Sequence, residues 1–590
     1  MSSNDRPSGR RSRKFRILLV LALIVGLIWI FGPGGAVHVA PGSTLVVELS
    51  GQYVEAATPT LLARVFGDNG KPFMSLLSLF NLAERDDRID TVILHIRDVG
   101  IGWGKAAEVR DSIGRLREAG RKTIAYLELD SFSINRAYYI ATAAEEIYVV
   151  PGAVMPLVGL LFAEYLYFGE MWEKVGIEIE ASKVGKYKSA VETLAGREMS
   201  DASREMSNSL LDGAEKRFVS AIATGRGLPP ERVRAIIDEG LVTTHELISR
   251  GLVDGILHLD EIPEAQNNRI EGRDYRSIDP TSAGFQPTVQ MALIYGSGAV
   301  VSGNAQRSAG GGPVFAAGRI VRALENASEN PNIRGIVLRI DSPGGSPMAS
   351  ELIWHAIGEV REGGMPVVVS VSDVAASGAY YVAAAADAIV IPPGALTGSI
   401  GVFALRPIFE GLMEKLGVGV ETLQRGRHAD FYSSSKPFSP ETKDRMQILT
   451  REIYKLFVDR VASGRNLEQG QVDTLGQGRV WSAEQALEVG LVDELGGIRE
   501  AVRWILRDQE LDEDTDVALI SYPEPLSFAD EIADLFQSGT LLGLRPVVSP
   551  PAAALALLPL PHGLSALRDW VIDLPLGGPL LIPSVLIEIR

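Results

Sequence analysis

The sequence predicts an α/β protein built from two tandem copies of one unit, for three reasons. Its 590 residues are more than a single hydrophobic core usually serves. Similar segments recur in the same order at a nearly constant spacing. Within each copy, short apolar runs alternate with helical patterns, which is typical of largely parallel sheets covered by helices.

Four pairs of similar segments carry the evidence for duplication. They are 171–180 with 412–421, 89–96 with 333–340, 138–141 with 380–383, and 251–254 with 490–493. The members of each pair are 239 to 244 residues apart, so short insertions and deletions account for the differences. One such pair could arise by chance, but four in the same order indicate two copies of one fold.

The alternation of strands and helices is clearest in the second copy, and each copy also has one long charged amphipathic segment. The predicted elements are a helix at 201–224, a strand at 335–340, a helix at 349–361, a strand at 367–371, a helix at 378–385 and a helix at 440–464.

Composition excludes several functional classes. A formal charge of −17 argues against a nucleic-acid-binding body, because phosphate binding needs clustered lysine and arginine. The chain has no cysteine, which removes disulfides, thiolate nucleophiles and cysteine-ligated metals.

The N-terminal residues predict attachment to a membrane. Six basic side chains within residues 1–16 precede an uncharged apolar run at 17–31. Such basic residues stay cytoplasmic, so the rest of the chain is expected on the other side of the membrane. The run is shorter than the roughly 20 residues that span a bilayer. A cleaved signal peptide is therefore the alternative to an anchor or uncleaved signal at 17–39.

Domain boundaries follow from the repeat and from a change in composition near residue 547. The first α/β copy is predicted at 40–286 and the second at 287–546. Residues 547–590 are apolar but too rich in proline for a spanning helix. They predict an irregular tail that ends in a strand at 581–589, with a peripheral membrane contact as an alternative.

Ser377 is the candidate nucleophile. It lies between a predicted strand and a predicted helix, among the small residues Ala375, Ala376 and Gly378. A helix N-terminus exposes a hydroxyl and supplies positive partial charge beside it. Taken alone, however, the segment is explained slightly better by a serine that caps the helix.

The turn at 341–346, with the sequence DSPGGS, directly follows a predicted buried strand. Consecutive glycines at a strand end let backbone amides approach a ligand and form an oxyanion hole. An ordinary turn can have the same sequence. The position of the turn, one strand–helix unit before Ser377, favours the oxyanion hole.

A serine nucleophile needs a base, and none of the seven histidines belongs to an evident Ser/His/Asp arrangement. His95 falls in a predicted buried strand, and His428 is the one histidine that remains a candidate for the base. A partly desolvated lysine can serve instead. Lys183, Lys186 and Lys188 are the candidates, although a solvated surface charge explains each of them better when taken alone.

Four motifs together resemble the signal peptide peptidase A family, also called protease IV, in its long duplicated bacterial form. They are 187–190 (YKSA), 341–345 (DSPGG), 376–381 (ASGAYY) and 397–401 (TGSIG). Each is weak alone, but their order and spacing are highly specific. The resemblance covers nearly the whole chain after the predicted anchor. It implies a ClpP/crotonase-type fold and hydrolysis of released signal peptides and other apolar peptides without a cofactor.

The resemblance also implies roles for individual residues. Ser377 matches the nucleophile and Lys188 the general base, and Ser399 matches a serine that orients the lysine. The implied oxyanion hole consists of three backbone N–H groups, those of Gly344, Gly345 and Gly378.

The surroundings implied by the resemblance are those of a single-pass protein of the bacterial inner (cytoplasmic) membrane. The N-terminus would be cytoplasmic, the catalytic body periplasmic, and the protomers would form a homo-oligomeric ring such as a tetramer. A crotonase-type acyl-CoA enzyme and a membrane scaffold with a decayed site are the alternatives.

The internal repeat offers an independent check on the candidate pair. Ser377 corresponds to Asn135 in the first copy, and Lys188 corresponds to Ala429 in the second. Each copy has therefore kept one member of the Ser/Lys pair. This is expected if one composite site forms where the copies meet, and ordinary drift is the rival explanation.

Overall fold

The computed structural model describes residues 37–55, 70–129, 134–153, 159, 161, 163–240, 243–305, 308 and 312–523. The predicted basic N-terminus, nearly all of the predicted anchor and the whole predicted tail at 547–590 lie outside these residues. Among the residues described, no helix is both long enough and apolar enough to cross a membrane.

The first copy contains eight strands in its described part. They are β1 (Ser43–Val54), β2 (Lys71–Pro72), β3 (Ile89–Gly100), β4 (Lys122–Leu127), β5 (Glu146–Val149), β6 (Glu178–Val184), β7 (Gly255–Ile256) and β8 (Arg269–Glu271). Its helices are α1 (Phe73–Arg85), α2 (Trp103–Glu118), α3 (Asn135–Ala141), α4 (Gly169–Val175), α5 (Ala190–Ala195), α6 (Asp201–Arg226), α7 (Pro230–Glu239), α8 (Thr244–Ser249) and α9 (Gly272–Tyr275).

The second copy follows directly. Its strands are β9 (Val289–Ser297), β10 (Ala299–Val301), β11 (Val314–Ala316), β12 (Ile333–Ser342), β13 (Val367–Ala376), β14 (Ala388–Ile391), β15 (Leu396–Gly398), β16 (Val402–Ile408), β17 (Val480–Ser482), β18 (Glu494–Leu495) and β19 (Val517–Tyr522). Its helices are α10 (Ala317–Ser328), α11 (Pro347–Glu362), α12 (Gly378–Ala383), α13 (Glu410–Lys415), α14 (Pro440–Arg465), α15 (Gln469–Leu475), α16 (Ala483–Glu488) and α17 (Ile498–Asp508).

The two main sheets have the same strand order. The first runs β1-β3-β4-β5-β7 and the second runs β9-β12-β13-β14-β18, with every one of these pairs parallel. Residues 91–96 of β3 and 335–340 of β12 are all buried, as expected for central parallel strands with both faces covered. The prediction of two tandem α/β copies is confirmed.

Strand β13 is longer than predicted. The sequence pattern ends it at residue 371 because Ser372 and Asp373 are polar, whereas the strand continues to Ala376. It continues because Val374 to Ala376 pair with β15, while Ser372 and Asp373 bind side chains of the first copy.

Contacts between the copies include a pair of strands and a buried group of ion pairs. Strand β6 of the first copy pairs antiparallel with β16 of the second, with Val184 opposite Val402. Separately, the buried Arg339 guanidinium on β12 binds Glu55 at 3.0 Å and Glu108 at 2.5 Å, both from the first copy. These contacts fix where the first copy lies relative to the carboxyl ends of β12 and β13.

Candidate active site

Ser377 lies in the one-residue turn between β13 and α12. Its φ of 56° and ψ of −118° are strained values for a residue that is not glycine. The serine occupies the N-cap position, but its side chain accepts no capping hydrogen bond. The capping interpretation therefore accounts for its position but not for its hydroxyl group.

The Lys188 side chain reaches Ser377 from the first copy. Its Nζ lies 2.9 Å from Ser377 Oγ, 2.9 Å from Ser399 Oγ and 3.0 Å from the Ser399 carbonyl oxygen. Lys188, Ser377 and Ser399 are fully buried. The other two candidate lysines are more exposed: Lys183 pairs with Glu192, and Lys186 lies over the Tyr187 ring.

Burial lowers the pKa of Lys188 well below 10.5, because the charged form would lose its hydration. A neutral amine has two N–H donors and one lone pair. The Ser399 carbonyl can only accept, and the Ser399 hydroxyl can accept the second N–H. The lone pair is then left for the Ser377 hydroxyl proton, which is the arrangement that a general base requires.

Parallel pairing brings the two serines together. Ala376, the last residue of β13, lies opposite Gly398, the last residue of β15, so Ser377 and Ser399 follow two neighbouring strand ends. The Ser377 N–H donates to the Gly398 carbonyl at 2.8 Å. Ser399 also has a positive φ, 54°, and both of its oxygens lie within hydrogen-bond distance of Lys188 Nζ.

The glycines predicted for an oxyanion hole lie beside these strand ends. Gly378 is the first residue of α12, and within the described part of the chain neither its N–H nor that of Gly345 donates a hydrogen bond. The Gly344 N–H differs, because it donates to Ser342 Oγ at 3.2 Å. A Cβ on Gly345 would lie 2.2 Å from the Val300 carbonyl oxygen, so only glycine fits there.

The loop at 477–479 holds the lysine segment against the second copy, and sequence reasoning missed it. The Tyr187 N–H donates to the Gln477 carbonyl at 2.8 Å. A Cβ on Gly478 would lie 2.7 Å from the Lys188 nitrogen and 2.8 Å from its Cβ. Gln477 and Gly478 lie outside the four motifs. The sequence around a loop glycine does not indicate which distant residue packs against it.

The equivalent positions in the other halves hold no such pair. Asn135 Oδ1 accepts from the Gly159 N–H at 2.8 Å, and Ala429 lies in a short 3-10 turn at 429–432. Nδ1 of His428, the remaining histidine candidate for the base, lies 3.1 Å from Thr442 Oγ1. Among the hydrogen bonds of the described residues, none joins a histidine to Ser377.

Comparisons with known proteins identify relatives of the chain. Peptidase family S49 matches it twice, at residues 115–269 and 359–512. Serine protease SPPA, chloroplastic, of Arabidopsis thaliana is 30% identical over 508 residues, covering 84% of this chain and 73% of that protein. Protease 4 of Haemophilus influenzae is 30% identical over 529 residues, covering 82% of each. Among solved structures, a mutant of ClpP1 from Listeria monocytogenes matches with a TM-score of 0.23 and 13% identity, over 36% of this chain and 94% of that one.

Replacement of Gly478 should displace Lys188. Gly478→Ala places a methyl group against the backbone of Lys188 at a φ of 79°. We expect hydrolysis of a peptide substrate to fall at least about tenfold, since misplacement by about 1 Å can cost roughly a hundredfold. Gly227→Ala is the matched control, because Gly227 has a φ of 62° and nothing within 4 Å of the added methyl. Equal losses in the two variants would contradict a role for Gly478 in placing the lysine.

The pH dependence of stability should report the lowered pKa of Lys188. Because the pKa of Lys188 is lowered in the folded chain, the unfolded chain binds more protons between that pKa and about 10.4. The stability of the wild type relative to Lys188→Met should therefore increase as pH rises through this window, by about 1.4 kcal/mol per pH unit at most.

Melting temperatures of the two proteins at matched pH values measure this difference. Lys186→Met removes a more exposed lysine two residues away and is the matched control. A difference that falls or stays constant with rising pH would mean that Lys188 is charged in the folded chain.

Proposed function

The chain belongs to peptidase family S49 and is a serine peptidase, and we propose that Ser377 is its nucleophile and Lys188 its general base. The observation that carries the proposal is the 2.9 Å contact between Lys188 Nζ and Ser377 Oγ, formed in a fully buried site within one chain. The dyad is composite, with one member from each copy, so that each chain has one site.

Acylation begins with neutral Lys188 taking the Ser377 hydroxyl proton as Oγ bonds to the scissile carbonyl carbon. The carbonyl oxygen becomes an oxyanion, and the N–H groups of Gly378 and Gly345 stabilise it. The N–H of Gly344 is not assigned to the oxyanion hole, because it already donates to Ser342 Oγ. The Lys188 ammonium then protonates the leaving amine as the C–N bond breaks, which leaves an acyl-serine and a neutral lysine.

Deacylation repeats these steps with water. Lys188 takes a proton from the water that attacks the acyl carbon, and then returns it to Ser377 Oγ as the ester bond breaks. Ser399 keeps the lysine in place during acylation and deacylation, because its two oxygens accept hydrogen bonds from the two N–H groups of the neutral amine. No cofactor takes part in the proposed cycle.

The proposed substrates are signal peptides released into the membrane and other apolar peptides. The basic residues 1–16 and the apolar segment 17–39 support a single-pass anchor in the bacterial cytoplasmic membrane, with the catalytic body on the periplasmic side. An acyl-CoA enzyme would leave the buried Ser/Lys contact without a role, and so would a decayed scaffold.

Substitution of the nucleophile tests the chemistry. Ser377→Ala should lose at least about a thousandfold in hydrolysis of an apolar peptide, and all labelling by a serine-reactive phosphonate. Ser350→Ala is the control, because Ser350 is equally buried in α11 and its hydroxyl donates to Ser346 at the start of the same helix. Activity or labelling retained in Ser377→Ala would contradict the assignment, and a wild type that hydrolyses acyl-CoA but no peptide would favour the alternative enzyme.

We also propose that the protein forms a head-to-tail homo-oligomer. Strand β6 of the first copy pairs with β16 of the second, but the two segments that correspond to these strands in the opposite copies are not paired with each other. The repeat makes 419–425 the counterpart of β6, and 163–167 belongs to the counterpart of β16. Neither segment is a strand here, and both present large apolar side chains. Val420 is 42% exposed, Leu423 95% and Leu166 52%. Residues 419–425 of one protein molecule would pair with 163–167 of the next. Repetition of this contact would build a ring if the rotation between neighbouring molecules divides a full turn evenly.

Cysteine cross-linking tests this pairing cleanly, since the chain has no cysteine. Leu166→Cys protein mixed with Val420→Cys protein, in the presence of a short bis-maleimide, should give covalent dimers. Each variant alone should give few, because the interface joins unlike surfaces. Cross-linking of Val420→Cys with itself would indicate a two-fold interface instead, and a monomer by sedimentation velocity would contradict the assembly.

A further inference from the structure

A buried ionic cluster lies where the first copy meets the carboxyl ends of β12 and β13. The first copy contributes Glu55, Lys105 and Glu108, and the second contributes Arg339, Asp341 and Asp373. The Lys105 ammonium lies 2.6 Å from Asp341 Oδ2 and 2.5 Å from Asp373 Oδ2, and its side chain is only 3% exposed. It thus joins the ends of two neighbouring strands.

The ladder between these two strands is interrupted where Lys105 binds. Ile340 lies opposite Val371, but Ser342, two residues later, lies opposite Ala375, four residues later. Both aspartates that accept from Lys105 lie within this interrupted stretch. A bulge of this kind bends a strand and redirects the side chains beyond it. The ammonium therefore bridges the strands where backbone hydrogen bonds do not.

The proposed catalytic elements begin just beyond the bulge. Asp341 precedes Gly345 by four residues, and Asp373 precedes Ser377 by four. The separation of the Gly345 N–H from the Ser377 hydroxyl consequently depends on how the two strand ends are held.

Helix α2 of the first copy is anchored on the same bulge. The Lys105 backbone N–H, in the first turn of α2, donates to Asp373 Oδ1 at 3.1 Å. A Cβ on Gly104 would lie 2.2 Å from the Ser372 carbonyl oxygen, so the helix start and β13 are in direct contact. The ammonium is thereby presented from a rigid element rather than from a loop.

We propose that Lys105 is a positioning residue for peptide hydrolysis, clamping Asp341 and Asp373 across the bulge and so setting the spacing between the oxyanion turn and Ser377. The inference rests on the proposed roles of Ser377 and Lys188. On this view the first copy supplies the geometry of the nucleophile site as well as its base.

Loss of the ammonium would leave Asp341 and Asp373 facing each other across the bulge, where like charges repel, whereas the third carboxylate near Lys105, that of Glu55, would still be bound by Arg339. Displacement of one oxyanion donor costs about a hundredfold to a thousandfold in kcat in a serine peptidase. We expect Lys105→Met to lower kcat by about a hundredfold while KM stays within about threefold, because the clamp acts on the reacting atoms.

The experiment measures kcat per active site, and the number of active sites is determined by titration with a serine-reactive phosphonate. Both measurements are made well below the melting temperature of each variant. A triple variant, Lys105→Met with Asp341→Asn and Asp373→Asn, removes the repulsion as well as the clamp. It should regain the melting temperature but not kcat, and it carries the test if the single variant does not fold. Lys122→Met is the control, because Lys122 joins Glu146 and Glu264 at 2.9 and 2.7 Å, outside the ionic cluster.

Two results overturn the proposal. If Lys105→Met and the triple variant have wild-type kcat per titrated site and only a lower melting temperature, the cluster is structural. If Lys122→Met loses kcat to the same degree, the effect is not specific to the bulge. Failure of the phosphonate to label Ser377 in the wild type refutes the dyad itself, which separates that outcome from failure of the clamp.

Discussion

The contact between the Lys188 amine and the Ser377 hydroxyl, both removed from water, is the constraint on which the rest of the structure depends. An isolated ammonium in this position would be costly, and the described residues provide no carboxylate partner to Lys188 Nζ. Instead, burial lowers the pKa of Lys188, and two oxygens of Ser399 satisfy its N–H groups. The antiparallel β6–β16 pair and the 477–479 loop close the two copies over one another, and Lys188 and Ser377 are fully buried between them.

The division of the site between two copies explains why so much charge is buried elsewhere between them. Arg339 and Lys105 are almost fully buried and bind carboxylates across the junction. Burying such groups gains little stability over apolar packing, but leaving one member unpaired costs about 3–5 kcal/mol. A shift of the first copy over the second would unpair several of them at once. The cluster therefore selects one register of the two copies, which is what a composite site needs.

Much of this could be predicted from the sequence, because it depends on local pattern. The α/β class follows from apolar runs that alternate with helical patterns, and the duplication from segments that recur at constant spacing. Motifs single out Ser377 and Lys188, although each taken alone is better explained as a helix cap or a surface charge. Lys105 and Gly478 could not be found in this way. Their partners lie in the other copy, and the extension of β13 through Asp373 depends on a lysine 268 residues away in sequence.

Backbone strain is concentrated where these long-range contacts converge. Six non-glycine residues in the described part of the chain have a positive φ, and three of them, Ser377, Ser399 and Gln477, surround Lys188. Each costs on the order of 1–3 kcal/mol and persists only where its surroundings leave no alternative. Here the alternatives are removed by the pairing of β13 with β15 and by the seating of Lys188 against Gly478. The site is therefore held in a strained geometry before substrate arrives, and the strain is sustained by strand pairing within the second copy together with contacts between the copies.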